Sequence, residues 1–239
     1  HELGKRGLTV QQQVSLPVWI PGSYMLREFS KNLQKLSARQ DGRAAAVTQL
    51  DKARWQVECV PSSPLVLSYE VYAFDNSVRT AWLDAQRGFF NCTSLCLKVH
   101  GQEAVPHLLE VIAGDDTARW RVATGLSAKK INKHGFGSYL AADYDELADC
   151  PVEMGDFWDS QFKAGGITHR VVVAGAAESF DGARLTADMQ KICEAGIRFW
   201  HGARNAGGRA RNRPPHGDYL FMLNVVDDGY GGLEHRNST

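Results

Sequence analysis

The chain has 239 residues, of which 44% are hydrophobic and 23% charged, a composition that excludes a disordered or low-complexity protein. Its 27 Lys and Arg balance 27 Asp and Glu, so it lacks the basic excess of a dedicated nucleic-acid binder. No apolar run reaches the length of a membrane-spanning helix.

The first half reads as β-structure. Leu8, Val10, Gln12, Val14 and Leu16 alternate with polar neighbours, the period-two pattern of a strand with one buried face. Trp55, Val57 and Cys59 alternate likewise. The stretch 65–74 is apolar on both faces, which predicts a central strand between packed layers. Leu95, Leu97 and Val99, then Leu109 and Val111, then Trp120 and Val122 continue the series. Short strands at about ten-residue spacing predict a β-sandwich-like unit. Cys92 and Cys96 fall inside a predicted strand and point the same way, with no loop to close round a metal. All five cysteines read as free thiols, which points to a cytoplasmic, reducing compartment, with export left open because the chain starts at His1.

The pattern changes near Cys150 and Pro151. The acidic stretch 143–149 predicts a short helix or turn, and the carboxylates of 143–159 read as a solvated connection between two units. Residues 169–173 predict a strand. Asp181 can cap a helix whose Leu185, Met189, Ile192, Gly196 and Phe199/Trp200 share one face. A Gly-, Pro- and Arg-rich loop covers 202–217, with Arg204, Arg209, Arg211 and Arg213 as a phosphate-attracting alternative to a plain exposed loop. Residues 219–226 predict an apolar strand, and Asp227-Asp228-Gly229-Tyr230 a turn. One helix cannot cover both faces of a sheet, so this second unit is expected to lack part of a core.

No catalytic motif occurs. None of the eight histidines forms H-E-x-x-H, whose two histidines share a helical face around zinc. A G-x-S-x-G elbow and a phosphate-binding G-x-x-x-x-G-K-[ST] loop are also missing. The segment Gly231-Gly232-Leu233-Glu234 remains. Paired glycines let another backbone approach, a strand edge there can add an extended peptide, and a carboxylate at its end attracts an α-ammonium. The alternative is an ordinary turn with a surface carboxylate.

Several segments together give that site its context. The run 17–29 (Pro17-Val18-Trp19-Ile20-Pro21-Gly22-Ser23-Tyr24-Met25-Leu26-Arg27-Glu28-Phe29) resembles the N-terminal signature of the glycyl aminopeptidase family of thermolysin-like (gluzincin) zinc metallopeptidases. Residues 69–75, 77–84, 87–91, 143–147, 151–155 and 228–235 are similar to the same family. The resemblance implies a mostly β fold with some α/β. An N-terminal β-sandwich-like domain over 1–155 would be followed over 156–239 by the strand-helix-strand opening of a thermolysin-like catalytic domain. It implies that Gly231, Gly232 and Leu233 bind the substrate main chain and that Glu234 binds its free amine. A further amine-binding residue is expected somewhere in the N-terminal domain. The family's H-E-x-x-H helix and third zinc ligand follow the Gly-Gly-Leu-Glu segment, so zinc and a PDZ-type domain are expected in the full-length parent, downstream. This chain is expected to carry no catalytic residue, no metal and no activity, although the parent would release N-terminal Gly or Ala from peptides. Two rivals are a stand-alone β-sandwich peptide-binding module and a self-contained hydrolase whose residues the motifs do not reveal.

Overall fold

The structure, a computed structural model, describes residues 10–20, 23–202 and 214–239. The chain is mostly β, as the alternation predicts, and the described residues include one short 3-10 helix, two short α-helices and one long one. The arginine-rich loop falls largely on 203–213 and lies outside the described residues, as does Leu8.

Val10–Ser15 pairs antiparallel with both Arg54–Cys59 and Lys98–Val99, and Val47–Asp51 completes that sheet. Its alternation puts Val14, Trp55, Val57 and Cys59 inside. Arg43–Ala45, Leu33–Gln40 and Leu65–Val71 form a second sheet. Leu65–Val71 lies at its edge, not at the centre as predicted, and leaves Val66 exposed. Strands Ala81–Leu83, Arg87–Phe90, Val152–Gly155 and Arg121–Thr124 form a third sheet, and His107–Val111, Gly137–Ala141 and Ser127–Ile131 a fourth. Between these two lies the largest apolar cluster, with Phe90, Trp120, Val122, Phe136, Tyr139 and Val152. Facing sheets with one apolar core are the β-sandwich-like arrangement that the spacing predicts.

Cys92–Leu95 is a short helix where a strand was predicted. Cys92 and Cys96 are therefore one helical turn apart, and all five cysteines are free thiols.

Sheet membership changes between Gly155 and Trp158. From there Trp158–Ala164 pairs antiparallel with Ile167–Ala174, which pairs in parallel with Asp218–Asn224. Asp181 caps the crossover helix Gly182–His201 by accepting the Arg184 N–H at 2.9 Å. The helix packs Leu185, Met189, Cys193 and Ile197 on Phe162, Val171 and Val173. Leu185 and Met189 face the sheet as predicted, but Ile192, Phe199 and Trp200 point outward, with Phe199 75% and Trp200 73% exposed. The sheet's second face is covered too. Val172, Ala174 and Leu220 pack on Ala123 and Phe157, so the β-rich unit supplies the cover that a single helix could not.

The acidic stretch 143–159 is a set of internal fastenings rather than a solvated connection. Asp143 accepts the Glu146 N–H at 2.8 Å, and Glu146 Oε2 accepts the Ala142 N–H at 2.5 Å, giving the helix Tyr144–Ala148 a reciprocal cap. Asp143→Ala should cost about 1 kcal/mol in urea unfolding, the usual loss for an N-cap. Glu153 is buried with Arg87, which donates Nε to Oε1 at 2.8 Å and Nη2 to Oε2 at 2.7 Å. Arg87 also donates to Asn76 Oδ1, which accepts from Asn224 on the last strand. This chain of bonds ties the β-rich unit to Asp218–Asn224.

Candidate functional site

After Asn224 the backbone leaves the sheet, with Val225 N–H still donating to Ala174 O at 3.0 Å. Residues 231–235 belong to no strand or helix, so the expected strand edge is absent here. Two neighbours hold the segment instead. Leu233, 5% exposed, is buried among Leu16, Ile20 and Phe29 of the β-rich unit. Asp149, at the end of the capped helix, takes the His235 Nδ1 with Oδ1 at 3.0 Å and the Arg236 N–H with Oδ2 at 3.0 Å.

Beyond His235 the chain returns to the sheet. Ser238 bridges Leu220 in parallel, the Leu220 N–H donates to Asn237 O at 3.0 Å, and Met222 N–H to Thr239 O at 2.7 Å. The Asn237 side chain donates to Gly125 O at 2.8 Å. A Cβ on Gly125 would stand 2.4 Å from Asn237 Oδ1, so only glycine leaves room for this lock.

Between the two anchors Glu234 is exposed and lines a cleft of about 1090 Å³ with Trp19, Asn91, Thr93, His100 and Tyr144. Neighbouring charges are largely committed: Arg54 pairs with Asp51, Lys98 with Glu103, and Asp149 with His235. Among the described residues no basic side chain lies within ion-pair distance of Glu234. Gly232 has nothing within 4 Å of where a Cβ would stand, so that side of it is open space.

Two cleft residues were not legible in the sequence. Asn91 is 1% exposed and donates Nδ2 to Val78 O at 2.7 Å, yet its Oδ1 is buried without a partner; Thr93 Oγ1 is likewise unpaired. A buried polar atom in that state costs about 1–3 kcal/mol, so it asks for an explanation. Ser15 and His100 also meet there, Oγ to Nε2 at 2.9 Å, because Ser15 stands opposite Lys98 in the strand register. Among the described residues no carboxylate pairs with His100, so this couple lacks the third member of a nucleophilic triad. Burial pushes the Tyr144 hydroxyl well above its usual range, and Tyr144 serves as a donor to Cys96 O at 3.0 Å. Among the described residues no group of three or more His, Cys, Asp or Glu could hold a metal.

A mostly β unit joined to a strand-helix-strand layer, with a docked Gly-Gly-Leu-Glu segment, defines the class. The chain belongs to the Peptidase M61 N-terminal domain family, whose pattern matches residues 6–156. It is similar in structure to an aminopeptidase N family protein from Idiomarina loihiensis, with a TM-score of 0.87 at 41% identity over 96% of this chain and 38% of that one. The chain thus spans under two-fifths of that relative's length. An M1 zinc metallopeptidase from Deinococcus radiodurans matches at a TM-score of 0.48 and 11% identity, over 96% of this chain and 54% of that one, too low to bear on fold or function. No curated protein matches the sequence. No described helix is long and apolar enough to cross a membrane.

Proposed function

We propose that this chain is the N-terminal, substrate-binding portion of a zinc metallo-aminopeptidase of the glycyl aminopeptidase type, with the β-domain over 1–155 and the start of a thermolysin-like catalytic domain over 156–239. The observation that carries this reading is Glu234: an exposed, unpaired carboxylate fixed between two anchors, two residues after Gly232, whose Cβ side is open. A carboxylate so placed accepts a peptide's α-ammonium, and Gly231, Gly232 and Leu233 offer main-chain groups to the following residues. Asn91 is the partner we assign on the N-terminal domain, since its buried Oδ1 lacks a donor and it shares the cleft with Glu234. A small first residue, Gly or Ala, suits this reading.

Among the described residues the side chains do not fit a zinc ion; on this reading zinc, the general base and a PDZ-type domain belong to the parent enzyme. The chain alone is expected to release no p-nitroaniline from glycyl or alanyl anilides, and chelator-sensitive turnover by the pure chain would contradict that. Glu234→Gln should weaken binding of triglycine about ten- to a hundred-fold in calorimetric titration, the worth of one hydrogen bond to a charged group. Unchanged affinity would remove Glu234 from the site.

A further inference from the structure

A second hollow of about 710 Å³ opens on the other side of Leu233, walled by Gly231, Gly232, Met222, Asn224, Arg79 and Arg87. Its two guanidinium groups differ. Arg87 is neutralised by the bidentate Glu153 carboxylate. Arg79 has no carboxylate within ion-pair distance among the described residues, and its Nε–H is buried without an acceptor. Asp228 and His235 also reach this wall, but Asp228 is exposed and unpaired with Arg79, and His235 is bonded to Asp149. A guanidinium cannot shed its proton, so Arg79 keeps its charge, and an anion brought from outside would both balance that charge and supply an acceptor. Its planar fork matches a carboxylate.

Position narrows the anion further. Arg79 follows Val78, whose Cγ2 lies 3.7 Å from where a Gly231 Cβ would stand. Glu234 is three residues from Gly231, at most about 10 Å of chain at about 3.3 Å per residue. Two uncompensated charges of opposite sign therefore flank a backbone stretch about as long as a tripeptide. We propose that Arg79 receives the α-carboxylate of a short free peptide whose α-ammonium rests on Glu234. The substrate class is then tripeptides rather than the N-termini of proteins. This rests on the amine-binding reading of Glu234.

The test is calorimetric titration of the full chain with triglycine, triglycine amide, N-acetyl-triglycine and pentaglycine. Triglycine should bind best, and amidation, acetylation and lengthening should each weaken it about tenfold or more. Arg79→Gln should bind acid and amide alike while keeping the loss on acetylation; Glu234→Gln should show the reverse. If amidation costs nothing while acetylation does, the Arg79 proposal falls and the Glu234 reading stands. If acetylation costs nothing while amidation does, Glu234 is misassigned and Arg79 is supported. No binding of triglycine overturns both. The acid-against-amide comparison on the unaltered chain needs no variant, so a folding defect in Arg79→Gln does not shelter the proposal.

Discussion

Glu153→Ala should lose about 3–5 kcal/mol of stability in urea unfolding at pH 8, the cost of stranding a buried cation. The side chain is 2% exposed and both its oxygens are used by Arg87. Without it the Arg87 guanidinium keeps only Asn76 as partner, and the bond network to Asn224 slackens. Burial raises the Glu153 carboxyl from its usual 4.5 to about 7, with the Arg87 hydrogen bonds and charge opposing the rise. The folded state therefore holds a proton that the unfolded chain has already released between about pH 4.5 and 7. The stabilisation is fully present below about pH 4.5 and is lost as pH rises through about 7, a difference of about 3 kcal/mol. Glu153→Gln keeps hydrogen-bonding atoms but cannot ionise, and should flatten that slope. A slope equal in both proteins would mean that another group sets it.

Leu233→Ala should be the second large effect, with about 2–5 kcal/mol lost from the docking of residues 231–235. Leu233 fills a cluster with Leu16, Ile20 and Phe29, and its truncation leaves a vacancy among them. The loss should appear as local opening rather than global unfolding. Hydrogen exchange should quicken at the amides of His235 and Thr239, which donate to Ser238 O and Leu220 O, while the amides of Ile167–Ala174 stay protected. Triglycine binding should weaken with it. Glu234→Gln should leave exchange unchanged, which separates losing the anchor from losing the ligand-binding group.

Strand alternation carried much of the fold. Val14, Trp55 and Val57 are buried where period two places them, because each belongs to a strand with one covered face. The failures have physical causes. In Leu65–Val71 apolar residues occupy both faces, but sequence does not say whether the second face is covered, and Val66 is not. Cys92–Leu95 is too short for a helical period to show. On Gly182–His201 two apolar stripes diverge after Met189, one through Ile192 and one through Cys193. Only the shape of the sheet beneath selects the second. Gly231 to Glu234 were legible as a candidate because they are contiguous. Asp149, Asn91 and Arg79 were not, because they meet that segment only through the fold.

The Asn237 lock on Gly125 has an evolutionary consequence. A side chain at 125 collides with Asn237, and a shorter residue at 237 leaves the Gly125 carbonyl without its donor. The two positions should therefore covary among homologues: where 125 gains a side chain, 237 should lose its asparagine. In such homologues the return of residues 237–239 to the sheet would rest on backbone bonds and on the Tyr219 hydroxyl's bond to Ser238 O, and the segment that presents Glu234 would be correspondingly softer.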